Sequence, residues 1–419
     1  MEAIQEEKRT RYDVTDPVAL AEKMAEKIAP NAERYDRENE FAEESIRVLQ
    51  RNGYAALTVP ETFGGLGAGL YDLVRAQERL AMGDGAVALA IGMSLIKIVG
   101  QATKRSWPEH LYEKVMRAAT ERGALVNSVA SEPRLGSPSR GGKPETVAIP
   151  TEDGGWRITG HKTFGSLAPV LDFIVVTATI QDGTDDVGRF MLERGEGVHV
   201  KETWDAMGMR ATGSHDMIFD GAYAEPGSLL SRSGGGGEAS SEREEEAIVP
   251  TQNPFFALPV SAVYLGIATE AHEAAVRYAR NRVPLALGHP LSEVDAIRDK
   301  LADNERELRA ARMMLYDTAR RAEGCKGNMD EQLKLDVYVA KHSATNNAVS
   351  VVDRAMRVVG GAALARGSIL ERAYRNVRAG LLHPPADDIT SRVLAEWTIN
   401  ANSKELSEQP ARKPHKEDA

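Results

Sequence analysis

Two short runs in the middle of the chain hold the residues with the most evident chemistry: V-A-S-E-P-R-L-G-S at 129–137 and G-H-K-T-F-G-S at 160–166. In the first, an apolar strand over 125–130 enters a polar turn. Ser131 offers a hydroxyl, Pro133 fixes the bend, and Gly136-Ser137 lets backbone N–H groups and a second hydroxyl converge. In the second, Phe164 and Ser166 are two apart, which on a strand puts them on one face. An aromatic ring with hydroxyls around it can hold a flat ring system that has a polar edge. The plain alternative is a pair of ordinary turns, where serine and glycine are common. Other chemistries lack their patterns. The sequence has no phosphate-binding G-x-x-x-x-G-K loop, no His/Cys cluster at metal spacing and no G-x-S-x-G elbow. The run G-G-L-G-A-G at 64–69 follows Phe63 in a loop and reads as turn chemistry.

The elements that must position these turns are legible from periodicity. Apolar residues recur at helical spacing over 18–28, 41–49, 71–82 and 86–99; the last run is apolar nearly all round and so central. Between 124 and 222 the period drops to two. Strands are expected at 126–130, 146–149, 156–159, 173–179, 188–192, 198–203 and 217–219, with Asp153-Gly154-Gly155 and Asp182-Gly183 as turns, which suggests a small β-barrel or sandwich. Helical spacing returns from 255. Val294, Ile297, Leu301, Leu308 and Leu315 mark a bundle helix, a second runs over 333–359 to Gly360-Gly361, and a last one covers 388–400. The expectation is an α+β multidomain fold: helical domain 1–123, β-domain 124–230, helical bundle 248–402. The run at 231–247, rich in Gly, Ser and Glu, has almost nothing apolar to offset the entropy of ordering it, and reads as a disordered insert. The tail, 403–419, is charged and expected to be flexible.

Composition bounds the partners. Of 419 residues, 42% are hydrophobic and 27% charged, ordinary for a soluble globular chain. The net charge of −10 argues against nucleic acid and anionic membranes. Cys325 is the only cysteine, so no disulfide can form within the chain, and a cytoplasmic location is the default expectation. The polar N-terminus does not read as a secretion signal, and the apolar run from 85 meets Lys97 before membrane-spanning length.

The two turn runs resemble the flavin signatures T-E-P-x-x-G-S and G-x-K-x-[WF]-x-[ST] of the acyl-CoA dehydrogenase family. Three more runs resemble that family in the same order: V-P-E-T-F-G-G-L-G at 59–67, M-G-M-R-A-T-G-S-H-D-M-I-F-D at 207–220, and V-V-G-G at 358–361 followed by E-R-A-Y-R-N-V-R at 371–378. The resemblance implies an N-terminal helical domain, a middle β-domain and a C-terminal four-helix bundle. It further implies FAD, with Ser131 and Ser166 at the ring edge, Phe164 against the ring and Ser137 near the pyrophosphate. It implies a homotetramer or homodimer in which a neighbouring subunit touches the cofactor through Arg282, while Gly361 would allow close approach of the cofactor. Leu287 stands where Phe is usual, and Asp295 and Arg357 stand where the family often has Gln, which loosens the adenosine-side match.

The departure that matters most is the base. Aligned on R-N-V-R at 375–378, Pro384 occupies the place of the usual catalytic Glu, and Phe256 occupies the family's second location for it. Ala257 falls where many members have Arg. His383, next to Pro384, is the candidate replacement, with an unperturbed pKa near neutrality; Asp387 and Asp388 are alternatives that also suit helix caps. A histidine here also resembles the flavin monooxygenases of the same superfamily, such as dibenzothiophene monooxygenase, whose second active-site histidine, expected near Gly92-Met93-Ser94, is missing from this sequence. The resemblance therefore implies an FAD-dependent oxidoreductase acting on an acyl-CoA-like thioester, with a separate electron acceptor. The alternative it implies is a monooxygenase that uses reduced flavin, supplied by a flavin reductase, and oxygen on a small hydrophobic substrate.

Overall fold

The computed structural model describes residues 14–135, 142–233, 253–325 and 328–408. Six helices come first among them: α1 (Pro17–Ile28), α2 (Ala32–Glu38), α3 (Glu43–Arg51), α4 (Leu70–Gly83), α5 (Gly85–Lys104) and α6 (Glu109–Arg122). Strands β1 (Val126–Val129), β2 (Val147–Pro150), β3 (Trp156–Gly165), β4 (Phe173–Ile180), β5 (Val187–Glu193), β6 (Val198–Lys201), β7 (His215–Ala224) and β8 (Leu229–Ser233) follow. Helices α7 (Pro254–Asn281), α8 (Asp295–Gly324), α9 (Glu331–Val359), α10 (Ile369–Asn376) and α11 (Asp387–Glu408) complete the chain. Local chemistry sets several of these limits. Asp16 caps α1 by accepting from the Ala19 N–H at 2.8 Å, with Pro17 at the first helical position. Asp84 caps α5 in the same way, and Asp330 caps α9.

The strands form one sheet in the order β6-β7-β3-β2-β4-β5-β8, with β1 alongside β4. Strand β8 is one more than the sequence suggests. Its residues, L-L-S-R-S, hardly alternate in polarity. What holds it is ladder pairing with β5 and the Arg232 guanidinium, which meets Asp182 at 2.9 Å and Asp186 at 2.5 Å. Residues 231–233, assigned from sequence to the disordered insert, thus belong to the sheet; the rest of that insert lies outside the described residues. Helix α11 likewise continues through 403–408, the start of the expected flexible tail, and 409–419 lie outside the described residues.

One hydrophobic core runs through all three parts. Its axis is α7, against which α4, α5, α8, α9 and α10 all pack. Helices α5 and α7 are long and apolar enough to cross a membrane, but 72% and 89% of their most apolar stretches are covered by the rest of the fold. Helices α4 and α7 approach backbone to backbone, since a Cβ on Gly266 would lie 2.2 Å from the Glu78 carbonyl oxygen. Nearby, the fully buried Glu78 carboxylate takes Arg312 at 2.7 Å and the Tyr316 hydroxyl at 2.7 Å, tying α4 to α8. Gly266→Ala is expected to destabilise the protein by ~1–3 kcal/mol through this overpacking. A thermal melt checks it: an unchanged Tm would mean the two helices part freely.

Candidate functional site

The two turn-bearing runs meet. The backbone N–H of Thr163 on β3 donates to the Ser131 carbonyl at 2.9 Å. Beneath them Glu132 and Lys162, both side chains fully buried, form an ion pair at 2.6 Å. Glu132 also accepts from the Thr146 hydroxyl at 2.7 Å and from the N–H groups of Thr146 and Glu145 at 3.1 and 2.7 Å. Lys162 reaches the Ala130 carbonyl at 3.5 Å. Burial alone would raise the Glu132 carboxyl. Lys162, the Thr146 hydroxyl and the two N–H groups outweigh it and hold the carboxyl below its ordinary value. The pair therefore clamps the first turn to β3 from inside the fold.

Phe164 does not follow strand alternation. Its backbone is left-handed, with φ of 58°, where the β3–β7 register shifts between Lys162 and Gly165. That conformation is uncommon for an aromatic residue, and it turns the ring outward, 64% exposed, edge-on to Trp204 at 6.0 Å. Ser166 begins a run of hydroxyls. Its Oγ is 2.9 Å from Ser214 Oγ, which is 2.7 Å from Thr212 Oγ1, and Thr212 donates to the Met209 carbonyl at 2.9 Å. With the last proton committed to Met209, each hydroxyl donates down the run, so the Ser166 oxygen is left as an acceptor. An exposed phenyl ring, an acceptor hydroxyl and the Ser131 turn at one edge are the donor and acceptor set that a flat ring with a polar edge requires. Ser137 lies outside the described residues.

The other half of the site comes from the bundle. A 3₁₀ segment, Val377–Leu382, delivers His383 between the rings of Phe256, at 6.2 Å, and Tyr264, at 5.7 Å. Tyr264 is fully buried, and its hydroxyl has no partner among the described residues. The close approach depends on Gly380, where a Cβ would sit 2.9 Å from the Tyr264 ring. Lys341, only 1% exposed, reaches Asp387 at 3.4 Å, and Asp387 also accepts from Asn346 at 3.0 Å. Burial, and after it the Lys341 charge, lowers His383 to about 4. The imidazole is neutral at ordinary pH and can give or take a hydrogen bond, but it is a weak proton acceptor.

The segment between β6 and β7 joins the two halves. Trp204 on it faces Phe164. Further along, Arg375 of α10 donates to the Met207 carbonyl at 2.9 Å, and the Met209 N–H donates to Asn376 at 2.7 Å. Arg375 is itself held by Asp36 and Glu371. This segment thus ties Phe164 and the Ser166 hydroxyl run to the end of α10, seven residues before His383. Arg282 and Gly361 are not brought to it. Arg282 ends α7, roughly 40 Å along that helix from Phe256 by helical rise, and Gly361 sits exposed after the end of α9 with no atom within 4 Å of its Cβ position. Sequence reading missed Trp204 and Lys341, which stand in no signature, and gave no role to Tyr264, which opens a Y-L-G run at 264–266. Ser214 lay unnoticed inside the G-S-H-D run.

Comparison with known proteins matches this architecture part by part. The acyl-CoA dehydrogenase N-terminal, middle and C-terminal domain families match residues 19–123, 128–222 and 258–387. "Putative acyl-CoA dehydrogenase YdbM" of Bacillus subtilis is 37% identical over 380 residues, 89% of this chain and 94% of that one. The 3-(aryl)acrylate reductase of Clostridium sporogenes is 27% identical over 90% of this chain and 96% of its own. Among solved structures, FMN-bound TdsC from Paenibacillus sp. A11-2, a dibenzothiophene monooxygenase, superposes with a TM-score of 0.80 at 22% identity, covering 92% of this chain and 97% of its own. The chain belongs to the acyl-CoA dehydrogenase family of flavoprotein oxidoreductases.

Proposed function

We propose that the protein holds a flavin across the paired turns and, with that flavin reduced and oxygen present, oxygenates a small apolar substrate seated against Phe256, Tyr264 and His383. The observation that carries this reading is the acid–base group. By the family resemblance Pro384 and Phe256 would stand at both places of the catalytic carboxylate, and His383, packed against Phe256 and Tyr264, is a neutral imidazole. A missing base costs about 10²–10⁴-fold in rate, a heavy loss for removal of a thioester α-proton. Monooxygenation requires no such proton removal. The bound flavin would supply electron or hydride transfer and, once reduced, activation of oxygen. Ser166 would accept from the ring edge, Phe164 would cover one ring surface, and the aromatic walls would exclude water.

A second reading, oxidoreduction of an acyl-CoA or similar thioester, is supported by the family membership and by the name that YdbM carries. One experiment separates the two. The flavin-loaded protein is mixed without oxygen with a panel of acyl-CoAs, and flavin absorbance is followed. The first reading expects no bleaching by any thioester, and oxygen-dependent product once a reductase supplies reduced flavin. Bleaching by a thioester would replace it with the second.

FAD is the proposed flavin. Arg282, a permanently charged bidentate donor suited to a diphosphate, is too far along α7 to serve its own protomer's site and would serve a neighbouring copy in a homodimer or homotetramer. Arg282→Ala should then weaken FAD binding about tenfold or more and leave FMN binding unchanged. Equal loss for both flavins in a binding titration would remove Arg282 from the adenosine side.

A further inference from the structure

In a chain of net charge −10, one small cavity is strongly cationic. It measures about 190 Å³ and lies where the three parts of the fold meet: α2, the segment between β6 and β7, and the turn leading into α10. Arg37, Arg210, Arg366, Arg372 and Arg375 line it, against the carboxylates of Glu33, Asp36 and Glu371. Those carboxylates are already occupied. Arg37 takes Glu33 at 3.1 Å, and Arg375 takes Asp36 and Glu371. Arg210, Arg366 and Arg372 have no carboxylate partner among the described residues. Arg210 makes a single bond, to the Ala206 carbonyl at 3.3 Å, and its buried Nε is left without an acceptor. With no carboxylate against them, these three guanidinium groups leave uncompensated positive charge on the cavity wall. Arg366 and Arg372 both line this cavity, and Arg372 also lines the neighbouring one that holds Asp84 and Glu270.

We propose that this cavity binds a small free oxyanion of the phosphate or sulfate type, held by Arg210, Arg366 and Arg372. Several guanidinium forks around one point match the tetrahedral oxygens of such an ion. The volume suits the free ion and not a nucleotide. Because Arg375 also fixes the segment that joins the Phe164 turn to the end of α10, the ion would brace the junction beside the proposed active site.

The test uses flavin-loaded, full-length protein, so that the cofactor's own phosphate contacts are filled. Tm is followed as sodium phosphate or sodium sulfate replaces sodium chloride at constant ionic strength. A saturable rise in Tm is expected with both oxyanions. The variants Arg366→Ala and Arg372→Ala should each move the midpoint about tenfold higher in anion. Their Tm in chloride alone reports whether they fold. A rise that climbs with anion concentration without saturating, as exclusion of these salts from the protein surface gives, would overturn the proposal. So would a midpoint untouched by both variants, or saturable binding of ADP without binding of inorganic phosphate.

Discussion

Lys162→Met should destabilise the protein by about 3–5 kcal/mol and release the flavin, the largest structural effect expected of any single change. The reason is the asymmetry of buried charge. Glu132 is wholly enclosed, and its ionised form is maintained by Lys162 together with the Thr146 hydroxyl and two N–H groups. With Lys162 removed, the carboxylate is left in the interior without its counter-charge. It must take up a proton or draw in water, and either response loosens the turn that carries Ser131. The double variant Lys162→Met with Glu132→Gln should recover part of the lost stability, because it removes both charges while the Gln oxygen still accepts from Thr146, at the loss of the Glu145 N–H bond. Tm and flavin content of the two variants, measured side by side, decide the matter. A single variant with wild-type Tm and full flavin content would show that the clamp does not hold the turn. Acid should act in the same direction. The folded carboxyl sits below its ordinary value, so the stability it contributes is complete above the unfolded value near 4.3 and is lost as pH falls through the folded one.

The same pair illustrates how the sequence was readable and where it stopped being so. Glu132 and Lys162 stand inside the two signatures, and the order helical, β, helical followed from period alone. The conformation of Phe164 did not follow, because spacing assumes regular alternation and a left-handed residue at a register shift breaks it. Strand β8 was hidden because ladder pairing and the Arg232 bridges hold it, and neither leaves an apolar pattern. The surroundings of His383 were hidden for a different reason. Tyr264 and Lys341 lie on α7 and α9, far from position 383 in the chain, and on each helix they read as ordinary residues of a periodic face. Long-range packing makes that pocket, and a single sequence does not encode it in any local window. Arg282 and Gly361 show the converse: the signature locates them in sequence, yet the distance along α7 separates Arg282 from the turns within one protomer.

His383→Ala is expected to lower kcat/KM by about tenfold or more with flavin content unchanged, as loss of a buried hydrogen-bonding group would, and His383→Gln to recover part of that loss. The pH dependence discriminates further. The unfolded imidazole titrates near 6.5, and the folded one is lowered to about 4, first by burial and then by Lys341. Between those values the unfolded chain binds the extra proton, so the stability tied to this group is complete above pH 6.5 and falls as pH drops toward 4. The acid limb of kcat/KM that reports His383 should accordingly lie well below 6.5. Lys341→Met removes the second cause and leaves the aromatic walls in place, so it should carry that limb toward higher pH. A structural role for Lys341 alone would lower kcat or Tm and leave the limb where it was. A limb already at 6.5 in the unmodified protein would mean that the pocket is wetter than its packing implies, and the neutral imidazole on which the oxygen-dependent reading rests would be lost with it.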